Sequence, residues 1–401
     1  MTAPAVHFDD TKARRNAVIL AIAQALYGAV TTALVVTAGL VGSQLSSDPA
    51  WATMPMSMMI IGTATTTFPI SLMMKRVGRR VGFVSCALAG AVGGLVGTYA
   101  IFERSFGLFL LGAFLLGIYQ ASASYYRFAA ADTASPAFRP KAISWVMTGG
   151  IAAALFGTLM VMGTVDLFSP VTFAGTWAAM AGLSVLGAVL LLAIDIPHKD
   201  DIAKPTGRPL GVIARQPRYI VAALTAMIAY GIMVLVMTAT PVAMLGCGFS
   251  VQDSSWVIQW HALAMFVPSF FTGSLIARFG AEKISALGMV LLVAAAVAGL
   301  MGIRFENFAV GLILLGLGWN FGFIGGTTLL TTTYESAERN KAQGLNDFLV
   351  FGTTALTSLS AGKLLAWFGW DAVNYAVFPM VLLGLVMIGW LMTHRASPKP
   401  A

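Results

Sequence analysis

Three pairs of side chains recur about two hundred residues apart: Tyr27 with Tyr230, Tyr119 with Trp319, and Gln120 with Asn320. Phenol and indole rings stack and offer a polar hydrogen, while a Gln or Asn amide carries both an acceptor and donors. Residues of this kind hold a solute rather than break its bonds. A buried amide without a partner costs about 1 to 3 kcal/mol, so Gln120 and Asn320 are expected to bond to a solute or to each other. Gln24, three residues before Tyr27, adds another amide. Arg127, a base inside an apolar stretch, is suited either to attract an anionic group or to pair with Asp132. Proton transfer needs a side chain that titrates, and His261 and Asp347 are the candidates.

The constellations that mark bond-making chemistry are missing. There is no HExxH, no phosphate-binding loop and no cluster of histidines or carboxylates, so no enzymatic activity, metal or cofactor is expected. Cys86 and Cys247 lie far apart and suggest no disulfide framework.

These side chains need a scaffold, and composition decides its class. Of 401 residues, 58% are hydrophobic and 10% charged, with a mean hydropathy of +0.83. Too few polar groups remain to cover a water-soluble surface, so the chain belongs in lipid. A helix needs about 20 apolar residues to cross roughly 30 Å of hydrocarbon. Twelve stretches qualify, from 17–41 through 106–130 (the fourth) and 254–277 (the eighth) to 371–392. The polar interval 195–218, with four prolines, separates a first bundle of six spans (1–194) from a second (219–401). The expected fold is therefore all-α, with twelve transmembrane helices in two pseudo-symmetric six-helix bundles.

Lys and Arg are retained on the cytoplasmic side of a membrane. With the amino terminus inside, twenty of the twenty-four basic residues fall on that side. Arg104 and Arg304 fall outside, while Arg127 and Lys363 lie within spans. Both termini are thus expected in the cytoplasm. The net charge of +8 reflects loop bias and calls for no nucleic-acid partner. The absence of any Asn-x-Ser/Thr site suits a bacterial inner membrane.

The repeat extends beyond the aromatic pairs. Lys75-Arg76-Val77-Gly78-Arg79-Arg80 lies between the second and third spans, and Arg278-Phe279-Gly280 recurs between the eighth and ninth. Arg139 and Lys141 recur as Arg339 and Lys341. Over essentially its whole length the chain resembles the transporters of the major facilitator superfamily. In that family's loop motif, Arg76, Gly78, Arg79 and Arg80 match, while Ser71 replaces a glycine and Lys75 an acid. The second copy keeps Gly273, Arg278 and Gly280, with Ala277 at the acid.

The resemblance implies a secondary transporter of a small organic solute, working by alternating access, proton-coupled and lined by spans 1, 4, 7 and 10. Gln24, Tyr27, Tyr119, Gln120, Arg127, Tyr230, Trp319 and Asn320 are then the binding candidates. A neutral or anionic solute, aromatic or vitamin-like, suits a cavity without central acids. Lipid and a coupling proton are the other expected partners, and one duplicated chain is expected to act as a monomer. The motif acid belongs to a cytoplasmic lock, and with Lys75 in its place the expectation is that Lys75 or Arg76 pairs with Asp132 or Asp347. A drug or metabolite efflux antiporter and a non-transporting receptor or assembly factor on the same fold are the alternatives.

Overall fold

A computed structural model describes residues 10–132, 134–135, 138–196, 207–335 and 338–393. Among the described residues it is built from helices, and no strand occurs. A chain in lipid satisfies its backbone polar groups internally, which a helix does without help from neighbours. The chain packs as two units: Met1–Ser47 with Met54–Asp201, and Asp48–Thr53 with Ile202–Ala401.

In the first unit, α1 spans Asp10–Leu45 and α2 Met54–Phe102. At 49 residues α2 is two spans joined, because Gly78 leaves helical geometry at φ 83°, ψ 161°. Gly280, its counterpart in the second unit, has φ 91°, ψ 151°. Positive φ is costly for any residue with a β-carbon, so the motif glycine makes the same corner in both repeats. The fourth span is α3 (Phe106–Ala123) followed by the short α4 (Tyr126–Asp132). A two-residue turn at Ser124–Tyr125 interrupts the helix, but the span as a whole runs Phe106–Ala130, as expected. Helices α5 (Arg139–Thr164) and α6 (Ala174–Leu191) complete the unit.

In the second unit, the short α7 (Leu210–Ala214) precedes α8 (Pro217–Gly246). The eighth span is bent by 41° into α9 (Val251–Phe266) and α10 (Ser269–Phe279). Pro268 at the break supplies no N–H and its ring crowds the preceding turn. Then come α11 (Ala281–Leu300), α12 (Phe305–Thr331), α13 (Arg339–Tyr375) and α14 (Val377–Thr393). Like α2, α13 runs past a corner glycine, Gly369 at φ 79°. Among the described residues, separating the joined spans at Gly78 and Gly369 gives twelve crossings in two sets of six.

Residues 197–206, most of the proposed linker, lie outside the described residues, but its end is fixed to the second unit. The Arg208 guanidinium donates to both Glu338 oxygens at 2.9 and 2.7 Å and to the Thr333 carbonyl at 3.1 Å. The Lys341 ammonium donates in turn to the Arg208 carbonyl. The Arg208 hydrogen bond holds the Glu338 carboxyl far below its ordinary range, to about 2.

Candidate functional site

In the first unit, Gln24 and Tyr27 sit on α1 and Tyr119 and Gln120 on α3. Gln24, Tyr27 and Gln120 are half-buried, while Tyr119 has no exposed surface. The Tyr119 ring meets Tyr27 edge-on at 5.2 Å between centroids. A β-carbon on Gly90 would come within 2.7 Å of the same ring. Tyr119 is therefore a packed layer behind Tyr27, where sequence spacing suggested a direct contact. The Gln120 Oε1 is enclosed and has no hydrogen-bond partner in the protein.

The second unit treats its counterparts differently. Asn320 is fully buried on α12, and its amide is engaged on both sides. Its Nδ2 donates to the Met265 carbonyl at 2.6 Å and to Ser269 Oγ at 2.7 Å. Its Oδ1 accepts from Thr272 Oγ1 at 2.6 Å. All three partners flank the Val267–Pro268 break, so Asn320 repairs the bent span rather than facing a solute. Its expected role as a binding amide is replaced by this one.

Trp319, the preceding residue, is 8% exposed, and its Nε1 has no acceptor in the protein. The indole stacks on Phe323 at 5.2 Å with planes 12° apart. It meets Tyr230 edge-on at 5.5 Å and Phe266 at 6.3 Å. Tyr230 also contacts Phe323 at 5.2 Å and Phe351 at 6.2 Å. Five aromatic rings from α8, α9, α12 and α13 thus form one cluster with a spare indole donor. The sequence reading missed Phe323, although it stands four residues after Trp319 on the same helix face. Phe266 and Phe351 come from distant spans, and no local spacing points to them.

His261 is 1% exposed on α9, and its Nδ1 lies 2.8 Å from the Leu312 carbonyl of α12. A carbonyl can only accept, so Nδ1 carries the hydrogen and His261 ties α9 to α12. Asp347 on α13 is exposed and accepts from Asn346 Nδ2 at 3.3 Å. Arg127, exposed on the short α4, lies over the Phe128 ring at 4.8 Å. It follows the turn at Ser124–Tyr125 and lies within the Phe106–Ala130 span in which it was expected. Among the described residues, no group of three or more His, Cys, Asp or Glu side chains is arranged to hold a metal.

The loop motif makes its own network in the first unit. Arg79 pairs with Asp132 at 2.6 Å, and Arg80 Nε donates to the Ile194 carbonyl at 2.7 Å. Either Asp132 or Asp347 was expected to meet Lys75 or Arg76. The Gly78 corner makes Arg79 the first residue of the following helix and brings it, instead, beside the end of α4. Lys75 and Arg76 are both exposed. Nearby, Asn16 and Asp195 exchange side-chain-to-backbone bonds of 2.8 and 3.0 Å, and Lys12 meets Asp195 at 3.1 Å. The Lys12 hydrogen bond lowers the Asp195 pKa. In the second unit, Arg278 lies over Phe279 at 5.2 Å, and Arg218 pairs with Glu282 at 3.2 Å.

Two joined bundles, matching corner glycines and a basic loop motif have a counterpart among known proteins. The sequence matches the Major Facilitator Superfamily over residues 20–252 and 221–401. The chain belongs to this family. It is 47% identical over 396 residues to a protein of Brucella anthropi described as riboflavin transporter RfnT, covering 98% of both chains. It is 28% identical over 394 residues to YdeG of Bacillus subtilis, an uncharacterized transporter of the same type, covering 94% of this chain and 92% of that one. Among solved structures, a mutant of the nucleoside transporter NupG superposes with a TM-score of 0.72 at 16% identity, covering 95% of this chain and 100% of that one. The chain is thus an integral membrane transporter of a small solute, and not an enzyme.

Proposed function

We propose that the solute is riboflavin, moved across the cytoplasmic membrane by alternating access. The observation that carries this reading is the 47% identity, over 98% of both chains, to a protein described as a riboflavin transporter. The site chemistry supports it. The riboflavin ring system is flat and offers carbonyl acceptors and a ring N–H donor. The second unit supplies stacking surfaces and the unpartnered Trp319 Nε1–H. Within the first unit, taken by itself, the enclosed Gln120 Oε1 is likewise left without a partner. Base–aromatic stacking of comparable rings is worth about 1 to 3 kcal/mol for each stacked ring.

A coupling proton belongs to this reading, exchanged at the exposed Asp347, while His261 serves as a helix tie. The protein works as a monomer in a bacterial inner membrane, with both termini inside.

Binding by purified protein tests the reading. Riboflavin at a hundred times its Kd stabilises a one-site protein by about 2.7 kcal/mol. The thermal midpoint in detergent is expected to rise with riboflavin and much less with adenosine. Trp319→Phe and Gln120→Ala each weaken the shift. A midpoint indifferent to riboflavin but raised by another small solute would replace the substrate assignment.

A further inference from the structure

Lys363 is a basic residue inside a span with no evident purpose in the sequence, and the structure gives it one. Its ammonium lies 5.0 Å from the Trp51 ring centroid and 5.9 Å from that of Trp367, within the range of cation–π attraction. Trp51 belongs to the 3-10 turn Pro49–Trp51 in the link between α1 and α2. The turn is internally organised: Asp48 Oδ1 accepts from the Ala50 N–H at 2.9 Å, and the Ala52 N–H reaches the Pro49 carbonyl at 3.1 Å.

This turn sits deeply on α13. Thr53 Oγ1 donates to the Ser358 carbonyl at 3.3 Å. A β-carbon on Gly362 would lie 2.5 Å from Thr53 Oγ1 and 2.9 Å from the Ala50 carbonyl oxygen, so the link approaches closely only because residue 362 is glycine. Ala50, Ala52 and Thr53 are 3%, 2% and 1% exposed. Asp48–Thr53 therefore packs as part of the second unit, although the helices before and after it, α1 and α2, are part of the first.

We propose that Asp48–Thr53 is a releasable strap, clipped to α13 through Gly362, Ser358 and the Lys363 cation between Trp51 and Trp367, and that it must leave α13 once in every transport cycle. Both of its ends continue into helices of the other unit. Any rearrangement in which the units move against each other therefore pulls on the clip. Contacts of this kind are weak enough to break in each cycle. The Lys363–Trp51 cation–π pair and the Thr53–Ser358 hydrogen bond are among the contacts that hold the strap, beside the close packing at Gly362. The positive-charge distribution assigns this end of α13 to the outside, so the clip is expected to be reachable from there.

The proposal rests on the transport reading above, and its test separates the two. A β-carbon at 362 would be 3.4 Å from Thr53 Cβ, close to the roughly 3.5 to 4.5 Å of disulfides. In a Cys86→Ala, Cys247→Ser background, Thr53→Cys with Gly362→Cys is expected to cross-link on mild oxidation. The bond should reduce riboflavin flux in proteoliposomes more than tenfold, with recovery on reduction. In the same background, Thr53→Cys alone is expected to react slowly with an impermeant maleimide added outside whole cells. Adding Lys363→Gln should speed that labelling about threefold, in keeping with the modest strength of such pairs.

Failure to cross-link, together with position-53 labelling that Lys363→Gln does not change, would show that the docked contact is not populated, and would overturn the proposal. So would full flux with the bond confirmed in place by mass, or a position-53 thiol that never labels over hours. Labelling needs no substrate. If the cysteine-free parent moves no riboflavin while labelling behaves as described, the substrate assignment fails and the strap stands.

Discussion

Span two with α3 in the first unit, and the bent α9–α10 with α12 in the second, are two copies of one design with different outcomes. Each copy carries a proline, Pro69 or Pro268, and an amide, Gln120 or Asn320, at offsets of about two hundred residues. In the first unit α2 runs unbroken across Pro69 as far as the Gly78 corner. The Thr65, Thr66 and Thr67 hydroxyls bond to carbonyls of their own helix, at Ile61, Gly62 and Thr63. No outside amide is enlisted, and the Gln120 Oε1 is left without a partner. In the second unit the helix breaks at Pro268, and Asn320 fills the gap. Duplication copies a polar residue's position, and the neighbouring helix decides whether its polar atoms are engaged within the protein, as at Asn320, or left without a partner, as at Gln120 Oε1.

Substitutions at the two amides should break this symmetry most visibly. Asn320→Leu would strand the Met265 carbonyl and the Ser269 hydroxyl, at about 1 to 3 kcal/mol for each buried group. The expected result is a fall of several degrees in the thermal midpoint. Gln120→Leu removes an unpartnered atom, so the midpoint should hold or rise while the riboflavin KM increases about tenfold, the equivalent of one lost hydrogen bond near 1.4 kcal/mol. Equal destabilisation by both would erase the distinction.

The aromatic pair sharpens it further. Trp319→Phe keeps a ring but loses the indole donor, and a several-fold rise in KM is expected with little change in stability. Tyr119→Phe should leave KM unchanged, since Tyr119 presents no surface. A smaller effect is expected at Thr272→Val, which removes one donor to Asn320 Oδ1 and should cost about 1 kcal/mol.

The pH dependence of the linker anchor should be the smallest effect near neutrality. Glu338 has its pKa lowered from 4.5 to about 2, first by the Arg208 hydrogen bond. A depressed carboxyl contributes stability that is complete above the unfolded pKa and is lost as pH falls through the folded one. Protease resistance around residues 207–216 should therefore be unchanged from pH 8 to pH 5 and decline only below about 4.5. Glu338→Gln should show reduced resistance even at pH 7.

Much of the architecture was legible because lipid leaves few choices: hydropathy, basic loops and the repeat at Arg76 and Arg278 already imply twelve crossings. The turn at Ser124–Tyr125 and the bend at Pro268 were less so. Proline marks a possible kink, yet Pro69 and Pro268 look alike in sequence and behave differently. The site was legible only as residue types. Tyr230 and Trp319 do stand together, but the rings of Phe266 and Phe351 reach them across spans. The loss of Asn320 to the bent helix depends on Ser269 and Thr272, which lie about fifty residues away. Arg79 replaced Lys75 and Arg76 as the partner of Asp132 because the Gly78 corner changes the direction of the chain between them.

The most direct test of the central claim is counterflow of labelled riboflavin into proteoliposomes preloaded with unlabelled riboflavin, comparing the parent protein with Gln120→Leu. Rapid, saturable accumulation by the parent and a KM about tenfold higher for the variant are predicted. Counterflow that is absent in folded parent protein, or identical in the two, would contradict the assignment of the solute or of Gln120 as its contact.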